Sequence, residues 1–269
     1  MKTYIIWTPP YLSTSGGIRA LFTLCHELNK RGQKAFVTSP VVCPSLINPS
    51  LTMGQFEKMV NLDDVSVIYP EIVRGNPWNF KNVIRWVLQV PGMLNGDREY
   101  AETEKVFTWS ESYMPNGGYI GKLNLPLIEL DLFNTENVGN REGGCFWVHK
   151  GWQTPRIPET ENLPEIIGAW PPTRKELADF LKTREYMYTY DNCTALIDEA
   201  RLCGCPVIII PDLINNYNVD ILGDYMKLGV CNNIKDIEKA RNELPIFREL
   251  YMEKIKEFEL QINKFIELT

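Results

Sequence analysis

Apolar and polar positions along the chain fall into short extended runs that alternate with stretches of helical spacing. The first run, Tyr4-Ile5-Ile6-Trp7, is β-prone and leads through Thr8-Pro9-Pro10 into Ser13-Thr14-Ser15-Gly16-Gly17. From Ile18 onward Leu21, Phe22, Leu24, Cys25 and Leu28 recur at helical spacing, and Lys30-Arg31-Gly32 closes the segment with two cations and a glycine. Ala35-Phe36-Val37-Thr38 then resumes an extended run that Ser39-Pro40 ends. Strand, glycine loop, helix and strand make a β-α-β unit of the Rossmann type, and such units build parallel sheets.

The alternation continues. Val65–Tyr69, Lys105–Trp109 and Leu127–Leu130 read as further strands, and Asn82–Leu88 as a helical stretch stopped by Pro91-Gly92. Residues 134–144 are polar and turn-rich and mark a domain boundary. Beyond them the pattern restarts with strands over Cys145–His149 and Ile166–Trp170. A helix capped by Thr173 follows, then a strand over Glu185–Tyr190, a helix over Asn192–Leu202 and a buried strand over Pro206–Ile210. Ile246–Leu268 keeps apolar residues near helical spacing and predicts a long amphipathic helix. The expected fold class is α/β, with Rossmann-like domains over 1–140 and 141–245 and a helix over 246–269 packing across both.

Composition narrows the function. With 44% apolar and 23% charged residues the 269-residue chain is ordinary globular material, which excludes disordered, fibrous and heptad-repeat classes. Lys and Arg number 28 against 34 Asp and Glu, a net charge of −6, so a binder of phosphate backbones by general positive charge is disfavoured. Any phosphate site must be local. Seven scattered cysteines, an odd number, with no charged-then-apolar leader at Met1, predict reduced thiols and a cytoplasmic protein. Cys203-Gly204-Cys205 invites a metal reading, but a zinc site needs two more ligands, and His26 and His149 are far away in sequence. No metal and no cofactor are expected. No apolar run approaches the ~20 residues of a membrane span.

Two constellations carry candidate chemistry. Ser15-Gly16-Gly17 opens a helix after a strand, where backbone amides and the helix dipole meet an anion and two residues lack a Cβ; the alternative is a tight turn that needs glycine for its geometry. Neither the three-glycine dinucleotide spacing nor a Walker Gly-Lys-Ser/Thr is present, which weighs against an NAD-dependent oxidoreductase. The stronger constellation runs from Tyr190 to Ala200. Asp191 and Glu199, eight residues apart, fall on a similar face of one helix, whose first amides at Asn192, Cys193 and Thr194 suit a diphosphate while the second carboxylate suits a ribose diol. The competing reading makes Asp191 an N-cap and Glu199 a solvated helix residue. Glu129-Leu130-Asp131 mimics a metal-binding Asp-x-Asp but reads better as a strand end, and the polar tract Tyr69–Pro77 is a candidate for an acceptor side.

The Ser-Gly-Gly loop, the two carboxylates separated by seven residues and the following Gly-Cys-Pro before a strand resemble the retaining GT-B glycosyltransferases of family four. The resemblance implies two Rossmann-like domains facing a cleft, and transfer of a sugar from a nucleotide-diphosphate donor to a hydroxyl acceptor with retention and without a metal ion. It implies a ribose role for Glu199, a place near the donor sugar and diphosphate for Asp191, and diphosphate contacts for Gly16 and Gly17. The family's cation pair maps to Lys150 and Arg156. Two departures stand out: Asp191 replaces the usual glutamate, and neither His26 nor His149 matches the family's catalytic histidine. The acceptor is a glycan, a lipid-linked glycan or, less favoured by the acidic charge, a modified nucleobase. A chain this short has few loops to shape an acceptor site, so a small acceptor, a partner or a homo-oligomer are the expectations. The alternative from another class is a non-catalytic nucleotide- or sugar-binding protein, such as a partner subunit of a larger transferase.

Overall fold

A computed structural model describes residues 1–59, 63–113, 117–192, 194–211 and 224–269. The chain forms two compact units, Met1–Leu127 with Ile255–Thr269, and Ile128–Lys254. The boundary therefore lies at 127/128 rather than 140/141.

The first unit holds a six-stranded sheet of β1 (Thr3–Ile6), β2 (Lys34–Val37), β3 (Val65–Pro70), β4 (Asn82–Val87), β5 (Lys105–Thr108) and β6 (Gly121–Lys122). Every pairing is parallel and the order is β2-β1-β3-β4-β5-β6. Helix α1 (Gly16–Lys30) buries Leu21, Phe22, Leu24, Cys25 and Leu28 on the sheet, and its N-cap Ser15 accepts a hydrogen bond from the Ile18 amide. Asn29 ties its end to the next strand, donating to the Ala35 carbonyl at 2.9 Å and accepting from the Ala35 amide at 3.2 Å. A short helix α2 (Met53–Met59) follows β2.

Two expectations fail in this unit. Asn82–Leu88 is not helical; it supplies β4, an interior strand whose residues from Val83 to Val87 are all buried. A strand covered on both faces loses the alternation that distinguishes it from a buried helix. Leu127–Leu130 is not a strand either, because the chain turns there: the Leu132 and Phe133 amides both donate to the Glu129 carbonyl. The sheet is completed instead by β6.

The second unit holds a five-stranded parallel sheet of β7 (Gly144–Trp147), β8 (Glu165–Ile166), β9 (Tyr186–Thr189), β10 (Val207–Ile209) and β11 (Val230–Cys231), ordered β11-β10-β9-β7-β8. Helix α3 (Arg174–Lys182) begins at the Thr173 cap, whose hydroxyl accepts from the Glu176 amide. Helix α4 (Leu196–Leu202) starts a turn later than expected, α5 spans Asp224–Lys227, and α6 spans Ile237–Leu268. That last helix begins before Pro245 and runs through it. Ala240, Leu244, Phe247 and Tyr251 are buried and keep one helical face across the proline, so packing outweighs the roughly 3 kcal/mol an interior proline costs. Up to Lys254 the helix belongs to the second unit; beyond it, Phe258, Ile262 and Phe265 enter the first unit's core. No helix among the described residues is long and apolar enough to cross a membrane.

Candidate functional site

The strand order of the second unit points to a candidate site. Taken in chain order from β7, the strands lie 2-1-3-4-5 in space, so the loop after β7 leaves toward β8 while the loop after β9 leaves toward β10. The two loops diverge at the carboxyl ends of neighbouring strands, and such a switch point opens the crevice where doubly wound sheets bind their ligands.

The residues there are His149, Lys150, Asp191 and Asn192. Strand β7 ends at Trp147, so His149 lies in the turn beyond it rather than in the strand, with φ +35°. The Gly151 amide closes this turn on the Val148 carbonyl at 2.7 Å. A Cβ on Gly151 would lie 2.0 Å from the Tyr190 carbonyl oxygen, so only glycine lets the turn press against the end of β9. On that side Thr189 locks the backbone, its hydroxyl accepting from the Asp191 amide at 3.1 Å and donating to the Asp191 carbonyl at 2.8 Å. The result is a cluster in which His149 Nδ1 lies 3.1 Å and Lys150 Nζ 3.5 Å from Asp191 Oδ2. The Asp191 side chain is 2% exposed and the imidazole 58% exposed. A buried carboxylate is costly unless paired, and here the Lys150 ammonium and the His149 ring both meet it while the imidazole keeps its far edge in solvent. The imidazole also stacks on Trp147, with centroids 5.1 Å apart and planes at 17°.

Asn192 is 9% exposed, and neither its side-chain oxygen nor its nitrogen has a partner among the described residues; the Trp147 indole N–H has none either. Buried polar groups are nearly always hydrogen-bonded, so these atoms keep unused hydrogen-bonding capacity.

The remaining candidates are placed elsewhere. Asp191 and Glu199 do not share a helix: α4 begins at Leu196, and Thr194 supplies the oxygens for its start, its hydroxyl accepting from the Leu196 amide and its carbonyl from the Ile197 amide, both at 3.3 Å. The amides of Asn192 and Thr194 are therefore not a helix first turn, and Cys193 lies outside the described residues. A local side-chain bond from Thr194 competes with helix extension, which the apolar periodicity could not reveal. Glu199 is 3% exposed and its Oε1 lies 2.7 Å from Arg174 Nη2, the atom that also meets Glu129 Oε2 at 2.7 Å. Burial works against the Arg174 charge, but the Glu199 and Glu129 carboxylates outweigh it and raise its pKa above the ordinary value. Arg156 stands over the Phe146 and Tyr190 rings, at 5.0 and 5.2 Å, with Glu165 at 3.3 Å, and the structure does not bring it to Asp191.

In the first unit Gly16 and Gly17 open α1, and neither has a positive φ. A Cβ on Gly17 would meet nothing within 4 Å, so the reading of a turn that needs glycine does not hold there. Arg85 is fully buried in β4; it donates to the Val73 and Gly75 carbonyls, each at 2.7 Å, and pairs with Glu104 at 2.8 Å. It organises the polar tract after β3 from inside. Cys203 and Cys205 are buried with thiols pushed up to about 12 by desolvation, and no group of three or more His, Cys, Asp or Glu among the described residues is arranged to hold a metal.

Sequence reasoning missed the pairing of His149 with Asp191 and of Arg174 with Glu199. The signal for the first was present, since both residues follow strands directly, but it becomes usable only once β7 and β9 are known to be neighbours. No family model matches the chain, and the search of curated proteins finds no match.

Proposed function

We propose that this chain is a glycosyltransferase that moves a sugar from a nucleotide-diphosphate donor to a hydroxyl acceptor, with the donor's diphosphate at the carboxyl ends of β7 and β9. One observation carries the reading: Lys150 and His149 meet Asp191 at the switch point of a parallel sheet, where the order of strands makes a crevice. As the bond from the anomeric carbon to the diphosphate breaks, negative charge grows on the departing oxygen. Cations held in place before the reaction stabilise that charge without reorganising. Lys150 supplies one directly, and Asp191 acts as a positioning residue through the side chains it holds. In this reading the first unit takes the acceptor side of a GT-B-like pair, transfer proceeds with retention, and Lys150 meets the leaving group without a metal ion.

The test is a thermal-shift and calorimetric panel of UDP, GDP, ADP, CDP and TDP, followed by the matching nucleotide sugars. At least one nucleoside diphosphate raises Tm, and Lys150→Ala weakens it about tenfold, equivalent to ~1.4 kcal/mol. A panel with no stabilising nucleotide overturns the reading.

A second reading, a non-catalytic nucleotide-binding protein, is favoured by one observation: the carboxylate expected to hold a ribose, Glu199, is already engaged by Arg174. Slow release of free sugar from a bound nucleotide sugar separates the two, since only the enzyme produces it.

A further inference from the structure

We infer that the His149 imidazole is a phosphate-binding group whose contribution switches on with protonation, so that anion binding at the ends of β7 and β9 draws a proton onto the protein. The inference rests on the diphosphate reading above and adds to it a residue and a pH dependence.

Asp191 determines which nitrogen is free. An ionised carboxylate only accepts hydrogen bonds, so the contact at 3.1 Å places the ring hydrogen on Nδ1 and leaves Nε2 as the atom that gains a proton. Nε2 has no protein partner among the described residues, and the ring is held by the Trp147 stack below and by the turn that Gly151 closes. A positive φ is uncommon outside glycine, although histidine adopts it more readily than most residues. Here it occurs two residues before the close approach of Gly151 to Tyr190. Independently, the Asn192 amide, next to Asp191 in the chain, is nine-tenths buried with both polar atoms unpartnered among the described residues, which leaves hydrogen-bonding capacity for a polar ligand.

The charged groups brought to the imidazole are Asp191 from the loop after β9 and Lys150 on its own turn. Both His149 Nδ1 and Lys150 Nζ meet Asp191 Oδ2, and a phosphate group at Nε2 adds an anion at the ring's other nitrogen. An adjacent anion favours the charged form of an imidazole, a side chain that titrates between about pH 5 and 8. One proton passes from a buffer acid to Nε2, forming an N–H bond as the buffer's bond to that proton breaks, and no other covalent bond changes. The protonated ring then donates a charge-assisted hydrogen bond to a phosphate oxygen.

The experiment is isothermal calorimetry of the full chain with inorganic pyrophosphate, at about pH 6 and about pH 8.5, in paired buffers of different ionisation enthalpy. Wild type is compared with His149→Gln and with His149→Asn, whose side chain tolerates the positive φ. Comparing Kd values between proteins cancels the ligand's own titration. The Kd of the variants exceeds that of wild type about tenfold at the lower pH and about equals it at the higher, and wild type takes up more protons than either variant. A Kd ratio independent of pH, with equal proton uptake, overturns the inference. If in that case Lys150→Ala still weakens pyrophosphate at both pH values, the diphosphate reading stands without it. If neither pyrophosphate nor any nucleoside diphosphate binds, both fall.

Discussion

The two units use the same strand order to opposite effect. Each sheet runs 2-1-3-4-5 from its first strand, the first unit adding β6 at its edge, so each has a switch point at the carboxyl ends of its first and third strands. In the first unit the polar groups just beyond β1 and β3 are sewn into the backbone. The Thr8 amide donates to the Thr38 hydroxyl at 3.0 Å, the Thr8 hydroxyl accepts from the Ser39 amide at 3.1 Å, and Glu71 accepts from the Leu88 amide at 2.9 Å. In the second unit the same positions carry an exposed imidazole, a lysine, the buried carboxylate that meets both and an amide without a partner among the described residues. Topology provides a switch point in both; the residues one or two places past each strand decide which polar groups gather there.

That contrast is broken most severely at Arg85. Its replacement by Leu leaves Glu104 and the carbonyls of Val73 and Gly75 without their partner inside the first unit, and costs about 3–5 kcal/mol of stability in urea unfolding. Pyrophosphate affinity in the absence of urea stays at the wild-type value if the anion site belongs to the second unit alone. Next in size is Gly151→Ala. The added Cβ would meet the Tyr190 carbonyl oxygen at 2.0 Å, so the turn must move away from β9. A loss of about 1–3 kcal/mol in stability follows, and pyrophosphate affinity falls with it because His149 and Lys150 leave Asp191. Unchanged affinity in this variant would show that the approach of the two loops does not build the site. Smallest is Gly17→Ala, at the glycine whose missing Cβ faces open space. Stability changes by no more than about 1 kcal/mol, in the stabilising direction, through loss of freedom in the unfolded chain. Its nucleotide affinity is the sharper readout, since a drop brings the α1 start into the donor site and an unchanged value confines that site to the second unit.

How much of this was legible beforehand differs element by element. The β1-α1-β2 unit and the Thr173 cap are as the apolar spacing and the capping residues predict, because each depends on contacts within a few residues. Helix α6 was half legible: its periodicity is plain from Ile246, but Pro245 hid the two turns before it. Strand β4 was misread because burial on both faces removes alternation, and Arg85 in its middle makes sense only once Glu104 reaches it from just before β5. For the candidate site, Lys150 and Asp191 stand out singly as charged groups, but the spacing puts Asp191 on a helix beside Glu199, whereas α4 begins only at Leu196.

By itself the sequence determined the α/β class, the parallel habit of the sheets and the identity of the groups able to carry charge. These follow from residue chemistry and from periodicities that a short segment expresses alone. Only the tertiary structure decided which groups meet. His149 and Asp191 are 42 residues apart and become neighbours because β7 pairs directly with β9, while Glu199 is turned to Arg174 because α3 and α4 pack together. The order of strands in a sheet is a property of long-range pairing, and the chemistry of the switch point is inherited from it.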